Sequence, residues 1–498
     1  MTTDINTIFR TMTAQRVNPV IKADAVETFV GHPLNYWCDL YAPEENKDPM
    51  TDFQQMLFDF GQEHQAKSQA QLVGKATQVV DGTELERFQK TLLFMAQGVE
   101  ALANMPLFCL PLGLQGRPDL LVRVDGVQSR FGNHAYIVYE IKSAKNIRTS
   151  HRLQAAVYNR MLGQVQGWEP PEFFIVGQDM EPVSVEMSEV ADDLDDALDA
   201  MRAVARGKTI SPCYNAARWP WEGQINNLAI QANDVSLVSG VGYSTRNLLV
   251  EAGFRTVANV ALAHEEVLAT VKGIGAAKAH RISTSARALT QKNVVPRRQV
   301  EKPLAGETQV FLDLEGSLPG LDDEGMEVNN YLIGNVVRRN GSQAEFVPFF
   351  ADSPSGEGEN LNQFLEWAFE LPDPVFYHWH DYERTHLRKM SERYGMDGKL
   401  ASNVLNRLED LRPLVVNSFA FPTYGEGLKP IAKHLGFSWR QDDVDAMGSV
   451  ALYMNYTRSA GRDTQAKNRI LTYNEDDCFA TMHVFDWFMQ QASSPART

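Results

Sequence analysis

The strongest constraint on how this chain folds is an imperfect internal repeat near its middle. LVSGVGYSTRNLLVEAGF (237–254) and TVKGIGAAKAHRISTSAR (270–287) each run a Gly-hydrophobic-Gly turn straight into a helical pattern. Two such copies predict one compact, all-helical module over roughly 225–290. On either side the pattern changes. Upstream, DLLVRV and AYIVYEIK flank a Gly/Ser/Asn-rich turn, which predicts a hairpin inside an α/β unit. A Pro/Trp-rich connector, SPCYNAARWPWEG, leads into the helical module, and a Pro- and charge-rich linker, NVVPRRQVEKPLAGE, leads out of it. Beyond lie the strand-like runs TQVFLDLEG, YLIGNVV, EFVPFF and PVFYHW, followed by helices, as in a mixed α/β layer. The expected organisation is an α/β multi-domain chain divided at 1–215, 216–300 and 301–498.

Its 498 residues, 44% hydrophobic and 22% charged, exclude a disordered or fibrous chain. No apolar run approaches the roughly 20 residues that cross a bilayer, and MTTDINTIFR lacks the pattern of a secretion signal, so a cytoplasmic protein with no membrane partner is expected. Cys38, Cys109, Cys213 and Cys478 form no CxxC pair, which argues against a zinc site and a disulfide framework. No GxxxxGK[ST] run is present, so no P-loop motor is encoded. The net charge of -16 at first opposes nucleic-acid binding. Its distribution reverses that inference. Residues 179–199 hold nine acids and no base, whereas 267–300 hold seven Lys or Arg and no acid, and 141–163 are also basic and acid-free.

In YIVYEIKSAK the two-residue period of a strand puts Glu140 and Lys142 on one face, and the hairpin brings Asp119 beside them. Two carboxylates can hold a hard cation while the ammonium offsets developing phosphorane charge, which is the chemistry of phosphodiester hydrolysis. GQEHQAK places His64 on a preceding helix, and LQAAVYNRML places Gln154 and Tyr158 at i, i+4 on a following one. This series resembles the RecB-like branch of the PD-(D/E)xK nucleases over roughly 25–215. The resemblance implies a restriction-endonuclease-like fold, with His64, Asp119 and Glu140 as metal ligands, Lys142 as a catalytic residue, and Gln154 and Tyr158 shaping the site and contacting DNA. Many relatives carry a four-cysteine iron-sulfur staple. Only Cys38 and Cys213 lie near the expected places, so no cluster is expected, and Trp219 and Trp221 are candidates to pack there instead.

In the central module, Gly273-Ile274-Gly275 with Lys278 and Arg281, and Gly240-Val241-Gly242 with Arg246 as its nearest base, have the form of turns that let backbone approach a phosphate. The pair resembles tandem helix-hairpin-helix domains, which implies a sequence-independent grip on the nucleic-acid backbone through these glycines, Lys278 and Arg281.

In VFLDLEG the same strand logic aligns Asp313 and Glu315, and YNEDDCFATMHVF puts Tyr473 and Asp477 one helical turn apart. With VFYHWHDYERTHL between them, the series resembles the DEDD (DnaQ-like) exonucleases of ribonuclease-H-type fold, in particular YprB-like members, over about 305–490. This implies metal held by Asp313, Glu315, a third acid and Asp477, with Tyr473 orienting water. The family's third position holds Asp, whereas here Glu383 aligns, with Asp381 as the alternative. Asp410 is expected to cap or contact, and Lys429 to meet phosphate or solvent. The expected function is a nuclease using Mg2+ or Mn2+, cleaving DNA at the first site and acting 3′–5′ on DNA or RNA at the second. The first site, with every element of its pattern, is the one expected to be active. The alternative is a catalytically silent nucleic-acid-binding adaptor, with a helicase as its possible partner.

Overall fold

The computed structural model describes residues 4–317, 328–339, 342–441 and 443–493. It divides into two compact units, Met1–Met50 with Gln54–Asn227, and Thr51–Phe53 with Leu228–Thr498.

The first unit contains helices α1 (Ala23–Gly31) and α2 (Asp52–Val73), then β1 (Ala101–Ala103), β2 (Leu120–Ser129) and β3 (Gly132–Ile141). α3 (Thr149–Gln166), β4 (Glu172–Val176), β5 (Pro182–Glu186) and α4 (Met187–Ala205) follow. The five strands form one sheet in chain order. β2 and β3 are the expected antiparallel hairpin, with Leu120 opposite Tyr139. β3 and β4 are parallel, so the chain must return across the sheet between them, and α3 is that crossover. α3 is buried along nearly its whole length because it packs on the sheet and against α1. The acidic stretch after residue 179 forms β5 and α4, whose Leu194, Leu198 and Met201 face the core while its acids face outward.

In the second unit, α5 (Tyr243–Glu251) and α6 (Ala276–Gln291) start directly after the two Gly-x-Gly turns. Gly240 and Gly273 take φ of +87° and +82°, a conformation that costs a side-chain-bearing residue about 1 kcal/mol or more and so fixes glycine at both turns. Downstream come β6 (Thr308–Gly316), β7 (Asn330–Arg339), β8 (Glu345–Phe346), β9 (Phe349–Phe350), α7 (Glu357–Phe369), β10 (Pro374–His378), α8 (Tyr382–Arg393) and β11 (Leu408–Asp410). They are followed by α9 (Leu411–Ser418), α10 (Leu428–His434), α11 (Ala446–Arg458) and α12 (Thr464–Ser493). The sheet runs β8-β7-β6-β10-β11, with β9 also on β7. Its centre, β6, is antiparallel to β7 and parallel to β10. α12 lies across β6 and β7.

The helical module and the C-terminal α/β layer, divided at residue 300 on sequence grounds, lie within one compact unit. The segment read as a linker is not a free connection, since Val295–Pro296 pairs with Phe419–Ala420 and Arg297 buries its guanidinium against the Val416 carbonyl and Glu426. A charged run looks like linker from composition, but here Arg297 finds partners more than 100 residues away.

Candidate functional sites

In the first unit the β2–β3 register sets Asp119 beside Glu140, and the Asp119 N–H lies 3.4 Å from Glu140 Oε2. Asp119 accepts from the Ile141 N–H at 2.7 Å and from Gln65 Nε2 at 2.6 Å. Lys142 Nζ lies 3.3 Å from Glu140, 2.8 Å from Glu27 and 2.7 Å from Gln154 Oε1. Gln154 in turn donates to the Tyr158 hydroxyl at 3.4 Å. Asp119, Glu140, Lys142, Gln154 and Tyr158 line one cavity of about 810 Å3. Burial pushes the Glu140 carboxyl well up, and the Asp119 charge adds to it against the pull of Lys142. Burial likewise raises Asp119, while the Ile141 N–H opposes it. Lys142 gains affinity for its proton despite burial because Glu140 and Glu27 surround it.

His64 stands behind this group, hydrogen-bonded to the Lys142 backbone. Its Nε2 lies 3.1 Å from the Gly177 carbonyl and 3.3 Å from the Ser68 hydroxyl. Glu27, on α1, was not singled out from sequence. Burial raises its pKa, but hydrogen bonds and charge from His151 and Lys142 prevail and hold it near 2. Its partner Lys142 lies 115 positions away, and no local pattern announces the pair. Gln65 was legible only as the neighbour of His64. Cys38 and Cys213 are buried thiols in no disulfide, and Trp221 is buried with its Nε1 donating to Asp39 at 2.7 Å.

In the second unit, Asp313 and Glu315 point from one face of β6 towards α12, where Asp477 meets them. Ligand oxygens of all three lie within 4.8 Å of one another, the single such cluster among the described residues. Asn474, one turn before Asp477 on α12, donates to Asp313 Oδ2 at 2.7 Å. This approach needs Gly334, opposite Asp313 on β7, because a Cβ there would overlap the Asn474 amide. Trp439 Nε1 donates to Asp477 Oδ1 at 2.7 Å. Lys429 Nζ stands 4.6 Å from the centre of the Tyr473 ring and 5.9 Å from that of Trp439. Burial and then the Asp477 charge push Glu315 up to about 8, against hydrogen bonds from Ser449 and Asn474 and the charge of Lys429. Burial raises Asp477 to about 6. Asp313 is raised strongly by burial and by the charges of Asp477, Glu315 and Glu383. Tyr473 donates to Asp477 and is held far above the usual phenol range by burial and then by these carboxylates.

Glu383 is buried on the first turn of α8, but its carboxylate lies 3.2 Å from His378 Nδ1 and outside the three-carboxylate cluster. His378 Nε2 is buried with no partner among the described residues. Asp381 is exposed and accepts from Thr385. Asp410 caps α9 through the Arg412 N–H and also accepts from the His380 N–H, each at 2.9 Å. Trp439 and Asn474 went unremarked in the sequence. Only Asn474, adjacent to Tyr473, had a signal nearby.

In the helical module, Lys278 Nζ donates to Thr245 at 2.8 Å. Arg281 is bonded to Glu426 and to Asn417. Arg246 is buried in an ion pair with Asp234 at 2.7 Å. It thus secures the first hairpin and does not offer a surface charge.

Residues 310–489 match the family model of the RNase_H superfamily, and residues 233–288 match that of the SAM-like helix-hairpin-helix tandem. The C-terminal layer is thus an RNase H-like domain, and its acid cluster lies within the match. No curated protein matches the chain. Among the described residues no helix is long and apolar enough to cross a membrane.

Proposed function

We propose that this chain is a metal-dependent nuclease in which the helix-hairpin-helix tandem grips the nucleic-acid backbone and the Asp313/Glu315/Asp477 site hydrolyses phosphodiester bonds in the 3′–5′ direction. The observation that carries the reading is the convergence of three buried carboxylates within 4.8 Å inside an RNase H-like domain. Buried carboxylates that raise one another's pKa need positive charge to ionise together, and their all-oxygen donor set fits Mg2+ or Mn2+. A divalent cation held there supplies Lewis acidity towards phosphodiester oxygens and lowers the pKa of nearby water. The chain's own residues do the rest. Asn474 and Trp439 fix the carboxylate rotamers of Asp313 and Asp477. Tyr473, unable to ionise near neutrality, gives its one O–H hydrogen to Asp477, so it steadies that carboxylate and offers water only its acceptor oxygen, and it does not act as a base. Glu383, close enough for its charge to raise Asp313, is the fourth carboxylate of the reading, held by His378.

We further propose a second, PD-(D/E)xK-type nuclease site acting on DNA in the first unit. Its support is an antiparallel hairpin that sets Asp119 against Glu140 and Lys142, followed by a crossover helix presenting Gln154 and Tyr158 into the same cavity. The engagement of His64 with Gly177 favours a competing reading in which this unit binds without cleaving, as an adaptor beside a helicase.

End-labelled single- and double-stranded DNA and RNA, incubated with Mg2+ or Mn2+, separate these readings. Asp313→Asn should lower exonuclease products by roughly 100-fold or more and Asp119→Asn should remove any DNA cleavage that persists. Unchanged products from both variants refute the nuclease assignment. Binding in EDTA without turnover in metal supports the adaptor.

A further inference from the structure

Glu426 ends a short loop between α9 and α10, and three arginines from three parts of the second unit converge on its one carboxylate. Arg281 of α6 bonds it directly, Arg297 reaches it at 3.3 Å, and Arg412 of α9 stands 3.6 Å away. Three guanidinium groups against one carboxylate leave a local charge of about +2, in a chain whose net charge is -16. The three are not equivalent. Arg297 is buried, and its donors are taken by Ser285, Thr284 and backbone carbonyls. Burial and, less strongly, the like charge of Arg281 make Arg297 release its proton more readily than an ordinary arginine, although Glu426 opposes this. Arg281 and Arg412 have side chains about one-third exposed, and the Arg412 guanidinium makes no hydrogen bond to any described residue. An ion-pair clamp alone would need one arginine per carboxylate. The surplus faces solvent.

The position of this surplus charge bears on its role. Arg281 extends from the helix that follows the second Gly-x-Gly turn, and Ser239 of the first turn reaches the Thr423 carbonyl of the Glu426 loop at 3.4 Å. Arg412 sits at the start of α9, which is capped by Asp410, whose charge in turn acts on Glu383. Three residues past Glu426, Lys429 stands over Tyr473. The arginines therefore join the helical tandem to the loop that leads into Lys429 beside Tyr473.

We propose that Arg281 and Arg412 form a seat for one backbone phosphate of a nucleic-acid strand passing from the helix-hairpin-helix tandem to the acid cluster. The seat rests on the nuclease reading above. A planar guanidinium fork matches a phosphodiester's paired oxygens, and Glu426, held by Arg297, competes with that phosphate for the two forks. The seat reads no sequence, since phosphate contacts carry none.

Fluorescence anisotropy of a labelled single-stranded DNA, titrated with full-length protein in EDTA at several salt concentrations, tests it without requiring cleavage. Arg412→Gln should weaken binding about tenfold at low salt, as expected for a lost charge-assisted hydrogen bond. It should also make the slope of log K against log salt shallower by about 0.7, the value for one phosphate contact on a single strand. Arg412→Lys should keep the slope. Glu426→Gln, which removes the competing carboxylate, should tighten binding and steepen the slope. Wild-type affinity and slope in Arg412→Gln overturn the seat, and so does weaker binding by Glu426→Gln, the result expected of a mere interdomain clamp. A wild-type chain that binds no nucleic acid overturns the functional reading itself.

Discussion

Replacing Glu315 with its isosteric amide should stabilise the metal-free protein while removing activity. In the fold the Glu315 carboxyl is held at about 8, against an ordinary 4.5, by burial and by the Asp477 charge. The unfolded chain releases this proton near pH 4.5, whereas the folded chain keeps it to about pH 8. Between those values the native state binds more protons than the unfolded state, so stability falls as pH rises. At about 1.4 kcal/mol per pH unit over that window, the loss is on the order of 5 kcal/mol by pH 8 and roughly seven-tenths of that at pH 7. Glu315→Gln cannot ionise and should lack this loss. Urea melts in EDTA at several pH values across this range should show the wild-type midpoint falling more steeply than the variant's, which still carries the raised Asp313 and Glu140, and the gap widening with pH. A variant less stable than wild type at pH 8, or a wild-type midpoint independent of pH, would refute the claim that these carboxylates repel one another in the fold.

The same cluster predicts that excess Mg2+ or Mn2+ raises the melting temperature of wild type, by about 2.7 kcal/mol of stability at a hundred times Kd, and leaves Asp313→Asn nearly unmoved; differential scanning fluorimetry reads both. Gly334→Ala should cost roughly 1–3 kcal/mol in chemical denaturation and lower cleavage, because the new Cβ displaces Asn474 from Asp313. In the first unit, Lys142→Met should cost about 3–5 kcal/mol near neutral pH by leaving Glu27 and Glu140 without their cation. That deficit should shrink on acidification, as the carboxylates take up protons, and a pH series of urea melts would detect its absence.

What could be read from sequence was what obeys a short period. Asp313 and Glu315 alternate along a strand and Tyr473 and Asp477 lie one helical turn apart, so each pair was legible within five residues. The hairpin carrying Asp119, Glu140 and Lys142 was legible because its turn residues fix which strands meet. The partners that tune these groups were not. Glu27 reaches Lys142 across 115 positions, and Trp439 reaches Asp477 across 38, through tertiary packing that leaves no periodic trace. Basic residues were the least legible of all. Arg246 and Arg281 look alike in sequence as surface charge, yet Arg246 is buried on Asp234 and Arg281 is shared with Glu426. Composition counts charges but does not say which already have partners.

The close approach of Gly334 and Asn474 also yields a criterion for sorting chains that share this layout. The glycine exists to admit the amide, and the amide reaches Asp313 only through the space the glycine leaves. The two positions should therefore vary together. Relatives that place a side chain at the β7 position should lack an amide at the α12 position, and must steady their first acid by another route or lose its function. Alignment of those two columns would then separate chains whose acid cluster remains under selection for geometry from those in which it has drifted.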